Sequence, residues 1–168
     1  MNSVFTKYSI RFVILVIFQV TLFNHINFLG YLNPYVYLIF ILFFPIKNNR
    51  LVFISVCFLL GLTVDMFSDT GGINAAASVF IAYTRPLFLK FAFGTMYEHS
   101  NLKFDNTDFG NKFIYISILV LIHHFILFSL EIFDFSRILI ILKKTLFSGV
   151  FTILMITLIS TIFSRKTT

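Results

Sequence analysis

An apolar run that opens at Leu51 encloses a carboxylate, Asp65, before it closes, and a second run opens at Ile73 after two acids and two glycines. In order, the stretch offers Gly61, Asp65, Asp69, Gly71, Gly72, Asn74 and then Ala75 to Ala77. A carboxylate is costly in lipid, so one inside an apolar run marks either a functional site or a helix end that reaches water. The connecting turn is very short, and small residues open the next run. The pattern predicts a tight extramembrane hairpin between two closely packed membrane helices.

Composition makes lipid the solvent. Of the 168 residues, 58% are hydrophobic and 12% charged, where a soluble domain carries about 25% charged residues. The mean hydropathy is +0.94. The expected fold class is all-α: a polytopic integral membrane protein with about six transmembrane helices in a single bundle, one domain over residues 1–168. The net charge of +6 does not point to nucleic acid, because the basic residues stand in ones and twos beside apolar runs. That distribution serves topology and contact with membrane lipids. Cys57 is the only cysteine and lies in an apolar run, as a small core residue would. Glycine-rich phosphate loops, HExxH and CxxC patterns are absent, and no cofactor or metal is expected.

Six apolar runs can be marked. Phe12 to Phe23 continues past Asn24, His25 and Asn27 towards Leu32, and no small-x-small cleavage site follows Lys7 and Arg11, so an uncleaved first span is expected. Pro34 to Ile46 is bounded by prolines and would reach roughly 20 Å as a helix, short of the ~30 Å hydrocarbon core. It is expected to be a tilted short helix or a re-entrant element. Leu51 to Phe67, Ile73 to Phe93, Phe113 to Leu130 and Thr145 to Phe163 are long enough to span or nearly so. Six spans starting in the cytoplasm place Lys7, Arg11, Lys47, Arg50, Lys103, Lys112, Arg165 and Lys166 inside. Only Arg137, Lys143 and Lys144 then fall near the outer side. This agrees with the positive-inside rule and predicts both termini in the cytoplasm. The loop near residues 95–111 is too short for a domain.

Several polar residues sit where lipid would discourage them. Asp65 lies roughly 21 Å along its helix, counted from Leu51; it is either a buried, paired carboxylate or a wetted helix end. His123 and His124 lie roughly 15 to 17 Å along theirs, and adjacent helical positions point about 100° apart. One of them is expected to face the bundle and hydrogen-bond, with Asp65 as a candidate partner; a proton relay and a metal site are the alternatives. Arg85 precedes Pro86 inside a span. It is expected to snorkel towards the cytoplasmic side with Lys90, or else to pair with a buried acid. Glu131 and Asp134 end the fifth run and should face water. Asn74, Ser78 and Ala82 repeat every four residues, Gly71 and Gly72 precede Ala75 and Ala76 at the same spacing, and Thr145, Gly149, Ser148 and Thr152 offer a similar face. Small residues at this spacing let membrane helices approach closely, within the chain or with a partner.

Gly61-x-x-x-Asp65, the Gly71-Gly72 turn and the helix opening Asn74-Ala75-Ala76-Ala77 resemble the rod shape-determining protein MreD family. Arg85-Pro86, and His123-His124 followed by Leu127, Phe128, Leu130 and Glu131, extend the resemblance over most of the chain. It implies a non-enzymatic scaffold subunit of the bacterial cell-elongation machinery in the inner membrane. Such a subunit binds MreC, and through it a class B penicillin-binding protein, RodA and MreB filaments. On that reading the Asn74 stripe and the last span hold the single membrane helix of an MreC-like partner. The six-helix plan is also similar to the substrate-binding membrane subunits of ECF-type transporters, which supplies an alternative: a solute-binding subunit with Asp65, Asn74 and the histidines lining a pocket.

Overall fold

A computed structural model describes residues 2–26, 33–46, 49–98, 102, 104 and 107–162. The regular structure among them is helical: α1 (Asn2–Thr21), α2 (Leu38–Leu42), α3 (Arg50–Ser68), α4 (Ile73–Phe93), α5 (Thr95–Glu98), α6 (Phe109–Ile132) and α7 (Ile138–Ile162), with short 3-10 turns at Phe23–His25 and Phe135–Arg137. Five of the helices, all except α2 and α5, belong to stretches long and apolar enough to cross a membrane. The chain is thus a polytopic helical bundle. The first run does not continue as one helix past Asn24, because α1 gives way to a 3-10 turn there; its extension towards Leu32 lies outside the described residues, as do Lys47, Lys103, Arg165 and Lys166.

Helix ends follow from local chemistry. Asn49 accepts a hydrogen bond from Leu51 N at 2.9 Å and starts α3, while the Asp108 carboxylate accepts from Gly110 N and Asn111 N and starts α6. The α3–α4 turn runs through Asp69, Gly71 and Gly72 with φ of +53°, +64° and +95°. Three left-handed residues in four reverse the chain in minimal length, and two of them are the glycines that adopt this conformation at no steric cost.

Pairs of contacts fix the direction of each element. Asn24, just past α1, bonds to Ser68 at the end of α3, and Tyr8 and Phe53, near the two helix starts, both pack on Phe44. The two helices therefore run parallel, and the chain between them must return through the bundle. It does so at residues 33–46. Helix α4 runs back along α3, α6 along α4 (Arg85 and Phe93 meet Tyr115) and α7 along α6 (Thr152 meets His124). Consequently α1 begins and α7 ends at the base of the bundle, opposite the α3–α4 turn.

The return segment departs from the expectation of about six spanning helices. Only Leu38–Leu42 is helical there. Proline disfavours helix in the residue before it and offers no N–H, so Pro34 and Pro45 confine the helix between them. Extended chain compensates for length: five helical residues cover about 7.5 Å at 1.5 Å each, and the flanking residues advance at up to about 3.3 Å each. Unwound backbone survives at this depth only inside protein. Accordingly Pro34, Val36, Tyr37, Leu38, Phe40, Ile41, Leu42 and Phe44 are all buried, with α2 packed on α1, α4 and α6.

Candidate functional site

Hydrogen bonds among the described residues join most of the interior polar side chains into three groups, each of which holds a part of the return segment or of the turn, while the Ser78 and Thr145 hydroxyls stand outside them. The first centres on Asp65, which is 3% exposed. Its Oδ1 accepts from Asn74 N and Asn74 Nδ2, both at 3.0 Å, and from the Thr70 hydroxyl. Its Oδ2 accepts from Ala75 N at 2.8 Å. The first N–H groups of a helix lack intrahelical acceptors, and Gly72 has no side chain with which to cap α4. Asp65 supplies the cap from the preceding helix, and its charge suits the positive end of α4. The wetted-end reading of Asp65 is thereby replaced by the buried, paired one. Gly61 makes this reach possible. A Cβ there would lie 2.5 Å from Ala75 Cα and 2.6 Å from Asn74 O, so α4 presses directly on the α3 backbone one turn before Asp65.

A polar chain leads inward from this cap. Asn74 gives its amide hydrogens to Asp65 and Thr70, which leaves Oδ1 to accept from the Tyr37 hydroxyl at 3.1 Å. That hydroxyl has one hydrogen, so its 2.9 Å contact with His123 Nε2 makes the imidazole the donor. His123 therefore meets Tyr37 rather than Asp65, and its Nδ1 has no partner among the described residues.

The second group holds the outer part of the return segment, on the side of the turn. Gln19 of α1 donates to Pro34 O and to Asn24 Oδ1 and accepts from Tyr37 N. Tyr35 N donates to Thr152 Oγ1 of α7. His124 Nδ1 faces Val120 O at 2.8 Å, and a carbonyl only accepts, so Nδ1 carries the proton and Nε2 accepts from Thr152. The two histidines thus point to different partners, as their angular separation requires.

The third group caps the inner part. Arg85 is 3% exposed and does not snorkel. Its Nη2 donates to Leu42 O at 3.0 Å and to Phe44 O, and its Nε donates to the Tyr115 hydroxyl, which itself donates to Leu42 O. Among the described residues no acid pairs with it; carbonyls freed by the unwound backbone take that place. The Phe53 ring lies 5.0 Å from the guanidinium.

The small-residue stripe is spent inside the chain. Asn74, Ala75, Ser78 and Ala82 are buried, and so are Thr145, Ser148, Gly149 and Thr152; a Cβ on Gly149 would meet Leu121 Cδ2 at 2.9 Å. The expectation that these faces receive a partner's helix is therefore corrected: they receive this chain's own α3, α2 and α6. Gly71 and Gly72 serve the turn, with open space around them. Glu131 is exposed and forms an ion pair with Lys144 at 2.8 Å, while Asp134 pairs with Arg137 at 3.3 Å.

Gln19, Tyr35, Tyr37 and Tyr115 were not singled out by the sequence reading, and Thr152 was read only as part of a packing face. The signal for Gln19 is an amide in mid-run. For the tyrosines it is the proline-bounded run itself, whose length implies backbone groups in need of partners.

Fold and site together define a polytopic helical membrane protein whose buried polar side chains secure an unwound internal segment. No family model, curated protein or solved structure matches the chain.

Proposed function

We propose that this protein is a non-enzymatic membrane scaffold of the bacterial cell-elongation machinery, similar to MreD, which holds the single membrane helix of an MreC-like partner. RodA and a class B penicillin-binding protein are the further members of that assembly. The observation that carries the reading is the closure of the interior: Asp65, Asn74, Tyr37 and His123 hydrogen-bond to one another. A solute-binding subunit of the ECF type needs such groups convergent on a pocket, and here they converge on the protein.

The protein lies in the inner membrane with the α3–α4 turn outside and both ends in the cytosol. Charge supports this orientation. Arg11, Arg50, Lys90 and Lys112 lie towards the base and Arg137, Lys143 and Lys144 towards the turn end, and the sequence assigns Lys7, Lys47, Lys103, Arg165 and Lys166 to the cytoplasmic side as well. Because the small-residue faces are internal, the partner's helix takes an outward face instead. Of the candidate spans, α1 is the least covered among the described residues, and it turns Ile10, Val13, Ile14 and Ile17 outward.

The test is co-purification with an MreC-like protein after detergent extraction. Ile14→Trp with Ile17→Ala is expected to weaken capture while leaving the melting temperature unchanged, and vitamins or cell-wall precursors are expected to leave it unchanged too. Failure of any such partner to come down with the wild type, or a vitamin-induced rise in melting temperature, would overturn the reading.

A further inference from the structure

At the base of the bundle a crevice of about 300 Å³ opens where the return segment leaves the interior. Pro45 forms one wall, Arg50 and Phe53 of α3 a second, Ala82 and Arg85 of α4 a third, and Tyr97 of α5 stands at the rim. Pro86, which also lines it, has no N–H to give to Ala82 O, so the α4 wall is a helix surface with one hydrogen bond missing.

Among the described residues the charge of this crevice is one-sided: Arg50 and Arg85 line it and no acid does. Arg85 spends three of its five N–H groups on Leu42 O, Phe44 O and Tyr115. The two on Nη1 have no protein partner among the described residues. A buried cation without a counter-charge is costly, and carbonyls solvate it without neutralising it. Arg50 is anchored at the mouth, with Nη2 on Tyr83 O at 3.2 Å and its guanidinium 4.6 Å from the Tyr83 ring. Arginine presents a planar fork of donors that matches phosphate oxygens.

We propose that this crevice binds a phosphate group, carried by a membrane lipid headgroup or as a free anion, with Arg85 Nη1 at its floor and Arg50 at its mouth. The bound anion supplies the charge that Arg85 lacks among the described residues. In the orientation proposed above, the headgroups of the cytoplasmic leaflet lie at this level; the binding itself does not depend on the scaffold reading.

The experiment uses the purified full chain in a mild detergent, with melting temperature and native mass spectrometry as readouts. Phosphatidylglycerol, phosphatidylcholine and inorganic pyrophosphate are the probes. Phosphatidylglycerol is expected to raise the melting temperature and to be retained at one copy per chain, in preference to phosphatidylcholine. Arg50→Gln, which leaves the Arg85 caps intact, is expected to lower retention about five-fold, the scale of one basic residue near an anionic headgroup. Stabilisation by pyrophosphate that is lost in Arg50→Gln identifies the free anion as a ligand. Equal retention of the two lipids with no response to pyrophosphate overturns the proposal. So does unchanged binding in a folded Arg50→Gln protein.

Discussion

At the scale of single residues, the α3–α4 hairpin works because Gly61 and Asp65 stand one turn apart on the same face. The glycine admits the α4 backbone, and the carboxylate receives it. Gly61→Ala places a methyl group against backbone rather than a yielding side chain, so a loss of about 1–3 kcal/mol is expected in an SDS-titration unfolding assay. Asp65→Ala leaves Asn74 N and Ala75 N, two donors at a helix start, without their acceptor. That variant should lose about 3 kcal/mol by the same assay. Asp65→Asn keeps one carbonyl oxygen and should fall between wild type and Asp65→Ala. A wild-type-like Asp65→Ala protein would show that Asp65 is not the cap of α4. The motif of Gly61, Asp65 and Asn74 was legible in the sequence as a hairpin of close helices. The partners of Asp65 were not, because its acceptor geometry depends on where a turn of three left-handed residues delivers α4.

At the scale of elements, the return segment explains the polar residues of its neighbours. Gln19, Thr152, Tyr115 and Arg85 come from four different helices, and each bonds to backbone atoms between Pro34 and Phe44. Arg85→Ala uncaps Leu42 O and Phe44 O and should cost about 3 kcal/mol. Arg85→Lys should recover only part of this, since an ammonium lacks the fork that reaches two carbonyls and Tyr115 together. Fluorescence-monitored melting in detergent would measure both. The run lengths were readable in the sequence, including the shortfall of Pro34 to Ile46, but a one-dimensional pattern holds no record of which helices would enclose it. Arg85 illustrates the gap. Proximity to Lys90 suggested a side chain escaping to the surface, whereas the freed carbonyls 41 and 43 positions earlier in the chain draw it inward.

For the whole molecule, the parallel course of α1 and α3 carries the unwound segment from one end of the bundle to the other, which predicts that it crosses the membrane. Single cysteines at Asn24 and Asn49, in a Cys57→Ala background, are expected to react with membrane-impermeant maleimide from opposite faces of the cell membrane. Labelling of both from one face would show that the segment turns back. The crossing also has an order of manufacture built into it. Its inner carbonyls are capped by Arg85 and Tyr115, which follow it in the chain, so a ribosome delivers the segment well before the side chains that make it tolerable in lipid. A nascent chain halted at Ser68 should therefore leave residues 33–46 unthreaded, with α1 and α3 unable to point the same way, and translation of α4 and α6 should pull the segment through.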